Sequence, residues 1–172
     1  MIILGIDPGY KNLGLCILSV KDGGELKLLY SENMCVGNSS SPLNFCRFLW
    51  PHLDALNERF HIDGIASETP PILMKQSRIT ALLWSVSSII STWAFVNKKH
   101  FRHAAPVTLK RATCNLLEKP WSRKQMPKKS EVAKAVELVI GERCKTSHEN
   151  DAVLSVLSLY TNKVPGLRSP YV

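Results

Sequence analysis

The sequence has no internal repeat, no CxxC pair and no uninterrupted apolar run long enough to cross a membrane. Its five cysteines are Cys16, Cys35, Cys46, Cys114 and Cys144. Their odd number leaves at least one thiol unpaired within a monomer, which favours a reducing compartment over a disulfide-stapled secreted domain. The longest apolar-rich stretch, residues 72–96, is interrupted by Lys75, Gln76 and Arg78, which argues against a membrane span.

A recognisable targeting leader is also missing. Met1 leads directly into a strand pattern, without a basic segment followed by an apolar run and without an amphipathic Arg-rich leader. We therefore expect no signal peptide and no transmembrane segment. The expected location is the cytoplasm or the nucleoid, or the host cell if the protein is viral.

Acidic residues are scarce, since 14 Asp and Glu face 22 Lys and Arg and leave a net charge of +8. This balance favours nucleic acid or another anionic surface as partner, with a solvated basic surface as the alternative. The 172 residues, 45% of them hydrophobic, have room for one domain with a sizeable core. We assign that domain to residues 1–161 and treat residues 162–172, which carry no periodic signal, as a tail.

Hydrophobic periodicity predicts an α/β domain with a mixed sheet covered by helices on both faces. The predicted strands are residues 2–7, 13–20, 26–34, 64–68 and 101–105. The first three should form an antiparallel meander, with Asp22-Gly23-Gly24 as a hairpin signal. The first predicted helix begins at Pro42, and the second carries an apolar stripe over residues 79–93. The third follows an N-cap at Thr108, the fourth spans residues 130–140, and the last includes residues 152–160. Pro51 should bend or divide the first helix.

Two of the predicted strands end on a carboxylate. Asp7 ends the first strand and Glu68 ends the fourth, and these strands are expected to be parallel neighbours. The carboxyl edge of such a sheet is where open α/β folds place their sites. His148 and Asp151 stand three residues apart at the start of the last helix, so one helix face can present both at the same edge.

Three carboxylates and an imidazole suit two hard divalent cations, Mg²⁺ or Mn²⁺, because such ions prefer oxygen ligands and Mn²⁺ tolerates nitrogen. Two ions about 3.5–4 Å apart can activate water and stabilise the leaving oxygen of a phosphodiester. The alternative is structural: Asp7 caps its own turn, and Asp151 is a first-turn acid favoured by the helix dipole.

Four segments, taken in order and spacing, closely resemble the RuvC-type Holliday junction resolvases of bacteria, phages and poxviruses. They are ILGIDPGYKNLG, IASETP, PVTLKRATC with KKSEVAKAVE, and SHENDAVLSVL. The resemblance covers residues 1–160. It implies an RNase H-like fold, a five-stranded mixed sheet, and a homodimeric endonuclease that resolves four-way DNA junctions by paired symmetric nicks with two metal ions. It implies no membrane partner and no small-molecule cofactor.

The resemblance assigns metal binding and catalysis to Asp7, Glu68 and Asp151. His148 matches a position that holds Asp in some members and His in others, and it is either a ligand or the group that moves the proton of water. Lys110 and Lys129 match lysines near the DNA backbone and the site, and Lys129 can balance charge on the phosphate. The other predicted DNA contacts are Lys75, Arg78, Arg111, Arg123, Lys124 and Lys128.

The sequence departs from the family after Glu68. Bacterial members carry an aromatic residue there that enters the junction, whereas this chain continues with Thr69, Pro70 and Pro71. Phe101 and Trp121 are the candidate substitutes.

Other functions compete with junction resolution. The first segment is also similar to the phosphate loop of actin-like ATPases, which need two such domains. A nuclease of this fold could act on replication forks or RNA:DNA hybrids, and a non-catalytic DNA-binding module could keep the fold.

Overall fold

The structure is a computed structural model that describes residues 1–21, 25–35, 41–70, 77–122 and 126–160. The strands are β1 (Ile2–Asp7), β2 (Asn12–Val20), β3 (Leu26–Cys35), β4 (Gly64–Glu68) and β5 (His100–Ala104). The helices are α1 (Pro42–Phe60), α2 (Ser77–Val96), α3 (Pro106–Leu116), α4 (Lys129–Ile140) and α5 (Ser147–Tyr160). The predicted hairpin signal at residues 22–24 and the tail at 162–172 lie outside the described residues.

The five strands form one mixed sheet in the order β3-β2-β1-β4-β5. Strands β1, β2 and β3 pair antiparallel, whereas β4 runs parallel to β1 and β5 runs parallel to β4. Apolar residues alternate along β1, so that Ile3 packs into one core and Leu4 into the other. Helices α1 and α2 cover one face, and α3, α4 and α5 cover the other. The predicted five-stranded mixed sheet with helices on both faces, the arrangement expected of an RNase H-like fold, is confirmed.

Two details of the helices differ from the sequence prediction. The predicted N-cap at Thr108 is wrong: α3 begins at Pro106 with Ala105 at the N-cap. Proline is favoured in the first helical turn because its missing N–H would have no partner there. Pro51 does not divide α1, which continues through it, and the proline lies on the exposed side of the helix.

Helix α5 lies directly against the centre of the sheet because two glycines leave room for it. A Cβ atom on Gly5 would lie 2.3 Å from the carbonyl oxygen of Ala152, and one on Gly14 would lie 2.1 Å from that of His148. Any larger residue would therefore push the helix away from β1 and β2. The far end of α5 is also fixed, since the Tyr160 hydroxyl donates a hydrogen bond of 3.3 Å to the carbonyl of Ile65.

Helix α2 combines a buried side with an exposed side that carries large apolar residues. By length and composition alone it could cross a membrane, with a mean hydropathy of 1.6 over Arg78–Val96. Its inner side chains nevertheless belong to the core shared with α1, and the indole of the fully buried Trp93 donates a 2.7 Å hydrogen bond to Asp54. The helix is thus a packed element of this domain that leaves Trp84 and Phe95 exposed.

Candidate active site

The carboxyl ends of β1 and β4 bring Asp7 and Glu68 together. The strands are hydrogen-bonded neighbours whose last paired residues are Ile6 and Ser67, so the next residue on each strand is an acid. Gly5 and Ala66, two positions earlier, both pack toward α5. Since side chains alternate along a strand, Asp7 and Glu68 extend from the same face of the sheet, toward the start of α5.

His148 joins this pair from the first turn of α5. Its Nδ1 atom lies 2.6 Å from Oδ2 of Asp7, and both side chains are only partly accessible to solvent. The hydrogen bond to Asp7 raises the pKa of His148, because a neighbouring carboxylate stabilises the imidazolium, while burial acts in the opposite direction. The structure therefore couples the two residues, which are 141 positions apart in the sequence.

Burial and mutual repulsion together perturb the acids of this cluster. Burial, and then the charges of Asp7 and Asp151, raise the pKa of Glu68 to about 8. Burial and the charge of Asp7 likewise raise the pKa of Asp151 to about 6. Three carboxylates so placed are stable together only when protons or nearby cations reduce their repulsion.

Two predicted lysines supply part of that positive charge. Lys110 on α3 opposes the upward pKa shifts of both Glu68 and Asp151, so its ammonium lies within the field of the acidic cluster. Lys129, the first residue of α4, has the same effect on Asp151. Its Nζ atom also donates a 3.2 Å hydrogen bond to the hydroxyl of Ser147, next to His148. Both lysines thus lie within the electrostatic field of the acids, and their predicted roles toward DNA and the scissile phosphate stay predictions.

The four side chains, Asp7, Glu68, His148 and Asp151, form a donor set of carboxylate oxygens and one imidazole nitrogen. Such a set fits a hard divalent cation, and the unbalanced negative charge gives a cation a physical reason to bind. Within the described ranges, no three His, Cys, Asp or Glu side chains are already grouped closely enough to hold one ion. The chemistry of the four side chains suits a metal site, and the number and identity of the ions stay a prediction.

The other predicted DNA contacts are more scattered. Arg78 is exposed in the first turn of α2, Arg111 is exposed on α3, and Lys128 is exposed just before α4. Lys128 lines a separate cavity of about 340 Å³ between α3 and α4, away from the acids. Lys75, Arg123 and Lys124 lie outside the described residues. For all six, contact with DNA stays a prediction.

A cavity of about 400 Å³ opens beside the acidic cluster. Asp7, Glu68 and His148 contribute to its lining, together with the hairpin between β1 and β2. Thr69 and Pro70, which follow β4, and Leu83 of α2 complete the wall. Phe101 and Trp121, the aromatic residues considered from the sequence, do not contribute to this lining.

Glu149 is a residue of the site region that sequence reasoning missed. Its side chain is 2% exposed, and its carboxylate accepts hydrogen bonds from the backbone N–H of Lys145 at 2.8 Å and from the Ser31 hydroxyl at 3.2 Å. Its own N–H donates to the Thr146 hydroxyl at 3.3 Å. These bonds fix the beginning of α5 to β3, directly beside His148. The pattern Thr-x-x-Glu is a capping-box signal that could have identified it.

Comparison with known proteins gives structural neighbours only. No protein-family model and no curated protein sequence matches the chain. Thermus thermophilus RuvC, solved with a Holliday junction substrate, is 22% identical with a TM-score of 0.73, and the alignment covers 91% of each chain. The yeast mitochondrial Holliday junction resolvase Ydc2 is 16% identical with a TM-score of 0.62, over 90% of this chain and 74% of that one.

A viral resolvase is also among the neighbours. The fowlpox virus resolvase, solved with Holliday junction DNA, is 15% identical with a TM-score of 0.52, over 90% of this chain and 91% of that one. At these identities the likeness establishes a common fold.

Proposed function

We propose that this protein is a structure-specific DNA endonuclease that resolves four-way junctions by paired symmetric nicks. One observation carries the proposal: Asp7, Glu68, His148 and Asp151 converge at the carboxyl edge of a sheet whose fold matches a junction resolvase along 91% of both chains. The net charge of +8 further supports an anionic polymer as the substrate.

Asp7, Glu68, Asp151 and His148 would hold divalent cations, Mg²⁺ or Mn²⁺, with two ions in each site. When bound, such ions neutralise the scissile phosphate and lower the pKa of water. The chain itself supplies the orientation. The Asp7–His148 hydrogen bond fixes the imidazole, which is positioned either to bind a cation or to accept a proton from the attacking water.

Lys129 and Lys110 would act on the substrate side of the site. Both are already within the electrostatic field of the carboxylates, so a phosphate drawn into the cluster would lie near their ammonium groups. Lys129 is the better placed to balance charge on that phosphate, because Ser147 holds its Nζ beside His148. Arg78, Arg111 and Lys128, with Lys75, Arg123 and Lys124, would contact the DNA backbone without reading its sequence.

Paired nicks require two sites, and we propose that the protein acts as a homodimer through the outer face of α2. Trp84 and Phe95 are 39% and 84% exposed and lie eleven residues apart, which places them on the same side of the helix. Large apolar side chains that are exposed along one side of a helix favour burial against a partner. A two-fold dimer also matches the two equivalent strands of a junction.

The test is a cleavage assay with Mg²⁺ or Mn²⁺ on a mobile four-way junction, a linear duplex, a fork and an RNA:DNA hybrid, with Asp7→Asn as the control. We expect symmetric nicks on the junction alone. Cutting of the fork or the hybrid would keep the active site and reject the junction as substrate. Tight junction binding without cleavage by the unmodified protein would indicate a binding module.

A further inference from the structure

The cavity beside the acids is lined in part by uncharged side chains. Tyr10, Pro70 and Leu83 line it, and they come from the β1–β2 hairpin, the end of β4 and helix α2. We call these three residues the apolar lobe. Its walls offer an aromatic ring and aliphatic surface, which suit a flat apolar group better than a phosphate. A total cavity of about 400 Å³ falls within the size range of ligand pockets, roughly 300–1,000 Å³.

Tyr10 is held at a fixed position relative to the acids. It lies three residues after Asp7, in a hairpin whose pairing closes at Asp7 and Gly14. The turn is tight, since a Cβ atom on Gly9 would lie 1.8 Å from the carbonyl oxygen of Asn12. The ring is half-buried and leans on the core between the sheet and α2 while still lining the cavity.

Lys11 gives this hairpin a cation at the cavity wall. Its side chain is exposed, its Nζ atom lies 5.7 Å from the centre of the Tyr10 ring, and the residue also lines the cavity. An aromatic face next to a cation is the combination that binds single-stranded nucleic acid, because bases stack on the ring while phosphates approach the charge.

We propose that the apolar lobe receives the base of a nucleotide adjacent to the scissile phosphate, stacked on Tyr10, with Lys11 contacting a neighbouring phosphate. The proposal rests on the junction nuclease function proposed above. It assigns to Tyr10 the contact with an unpaired base for which the sequence suggested Phe101 or Trp121. Neither of those two residues lines the cavity.

The experiment removes the base and the ring separately and together. The nick position is first mapped on a junction of fixed sequence, and abasic analogues then replace each nucleotide on either side of the nick. Single-turnover nicking is measured for the unmodified protein, Tyr10→Phe and Tyr10→Leu. The leucine keeps an apolar side chain on the core, and thermal melting checks that each variant is folded. An abasic site far along the same arm is the matched control substrate.

We expect one flanking abasic site to slow the unmodified protein and Tyr10→Phe roughly ten-fold, the effect of losing one stacked base. Tyr10→Leu should be slowed by a similar factor on the intact junction and should gain no further defect from that abasic site. Two results would overturn the proposal while leaving the nuclease function intact. One is nicking of the intact junction by Tyr10→Leu at the rate of the unmodified protein. The other is an abasic site that slows Tyr10→Leu by the same factor as it slows the unmodified protein. If the unmodified protein cuts no junction, the nuclease function fails first.

Binding gives an independent readout. In the Asp7→Asn background, 2-aminopurine at the position identified above should change its fluorescence on binding because the base enters the lobe. The double variant Asp7→Asn, Tyr10→Leu should lose most of this change. An equal change in both proteins would contradict stacking on Tyr10.

Discussion

His148 Nδ1 and Asp7 Oδ2 are 2.6 Å apart, which joins the first turn of α5 to the end of β1. The hydrogen bond links the imidazole of the cluster to the acid whose charge acts on both other carboxyl groups. Burial and then the charge of Asp7 raise the pKa values of both Glu68 and Asp151, which makes Asp7 the acid whose charge acts on both of the others.

That central position predicts the result of removing the Asp7 charge. Asp7→Asn keeps a side chain of the same shape, so the fold and the basic surface should persist and junction binding should change little. Nicking should fall below detection because a central metal ligand is lost. Gel-shift titration and a nicking assay in saturating Mg²⁺ measure the two effects separately. Nicking at the unmodified rate would remove Asp7 from the site.

Replacing His148 tests whether the imidazole is a ligand. His148→Asp exchanges a nitrogen donor for oxygen and should shift the activity ratio toward Mg²⁺ and away from Mn²⁺, since Mg²⁺ prefers oxygen. The measurement is the nicking rate at saturating concentrations of each ion, with His103→Asp as a control on a histidine outside the acidic cluster. An unchanged ratio would mean that His148 does not bind the metal.

The raised pKa of Glu68 predicts a pH-dependent stability. A carboxyl group whose pKa rises from an ordinary 4.5 to about 8 on folding binds its proton more tightly in the folded state. The contribution of Glu68 to folding stability is then fully present below pH 4.5 and is lost as the pH rises toward 8. Glu68→Gln, which cannot ionise, should melt like the unmodified protein at low pH and higher at pH 8.

Thermal melting in EDTA across that pH range measures the difference. Because the site is partly solvated, we expect a rise in Tm of roughly 4 °C for the variant at pH 8, corresponding to one or two kcal/mol in a domain of this size. Added Mn²⁺ should stabilise the unmodified protein more than Glu68→Gln. A variant that melts lower than the unmodified protein at pH 8 would contradict the assigned repulsion.

Most of the site could be predicted because it lies where regular patterns end. Asp7 and Glu68 follow short apolar runs, and His148 and Asp151 precede another, so strand and helix boundaries place all four at one edge. The predicted N-cap at Thr108 is wrong because the helix begins two residues earlier, at Pro106. A periodic pattern locates a helix or strand well but does not determine its first residue, which depends on the local sequence.

Contacts between distant segments could not be predicted in this way. Ser31 meets Glu149 only because α5 packs across β3, and Leu83 lines the same cavity as the β1–β2 hairpin only because α2 covers the other face of the sheet. Neither pairing has a spacing in the sequence that would reveal it.

The buried carboxylate of Glu149 provides a prediction about these long-range contacts. Glu149→Ala leaves the Lys145 N–H and the Ser31 hydroxyl without their acceptor, so it should destabilise the protein by about 1–3 kcal/mol. Ser31→Ala removes one donor only and should cost less. Urea unfolding measures both. Equal stability of Glu149→Ala and the unmodified protein would show that the carboxylate does not fix the start of α5.

The exposed face of α2 provides a test of the proposed homodimer. Phe95→Glu places a charge on a side chain that is 84% exposed, so it should leave the monomer folded and break any contact made through that face. The matched control is Phe48→Glu on α1, where the ring is 63% exposed on the other helix of the same layer. Light scattering with size-exclusion chromatography should show a dimer for the control and a monomer for Phe95→Glu. Because a monomer holds one site, Phe95→Glu should also lose simultaneous nicking of both strands on a supercoiled cruciform. If Phe95→Glu is still a dimer, this face is not the interface.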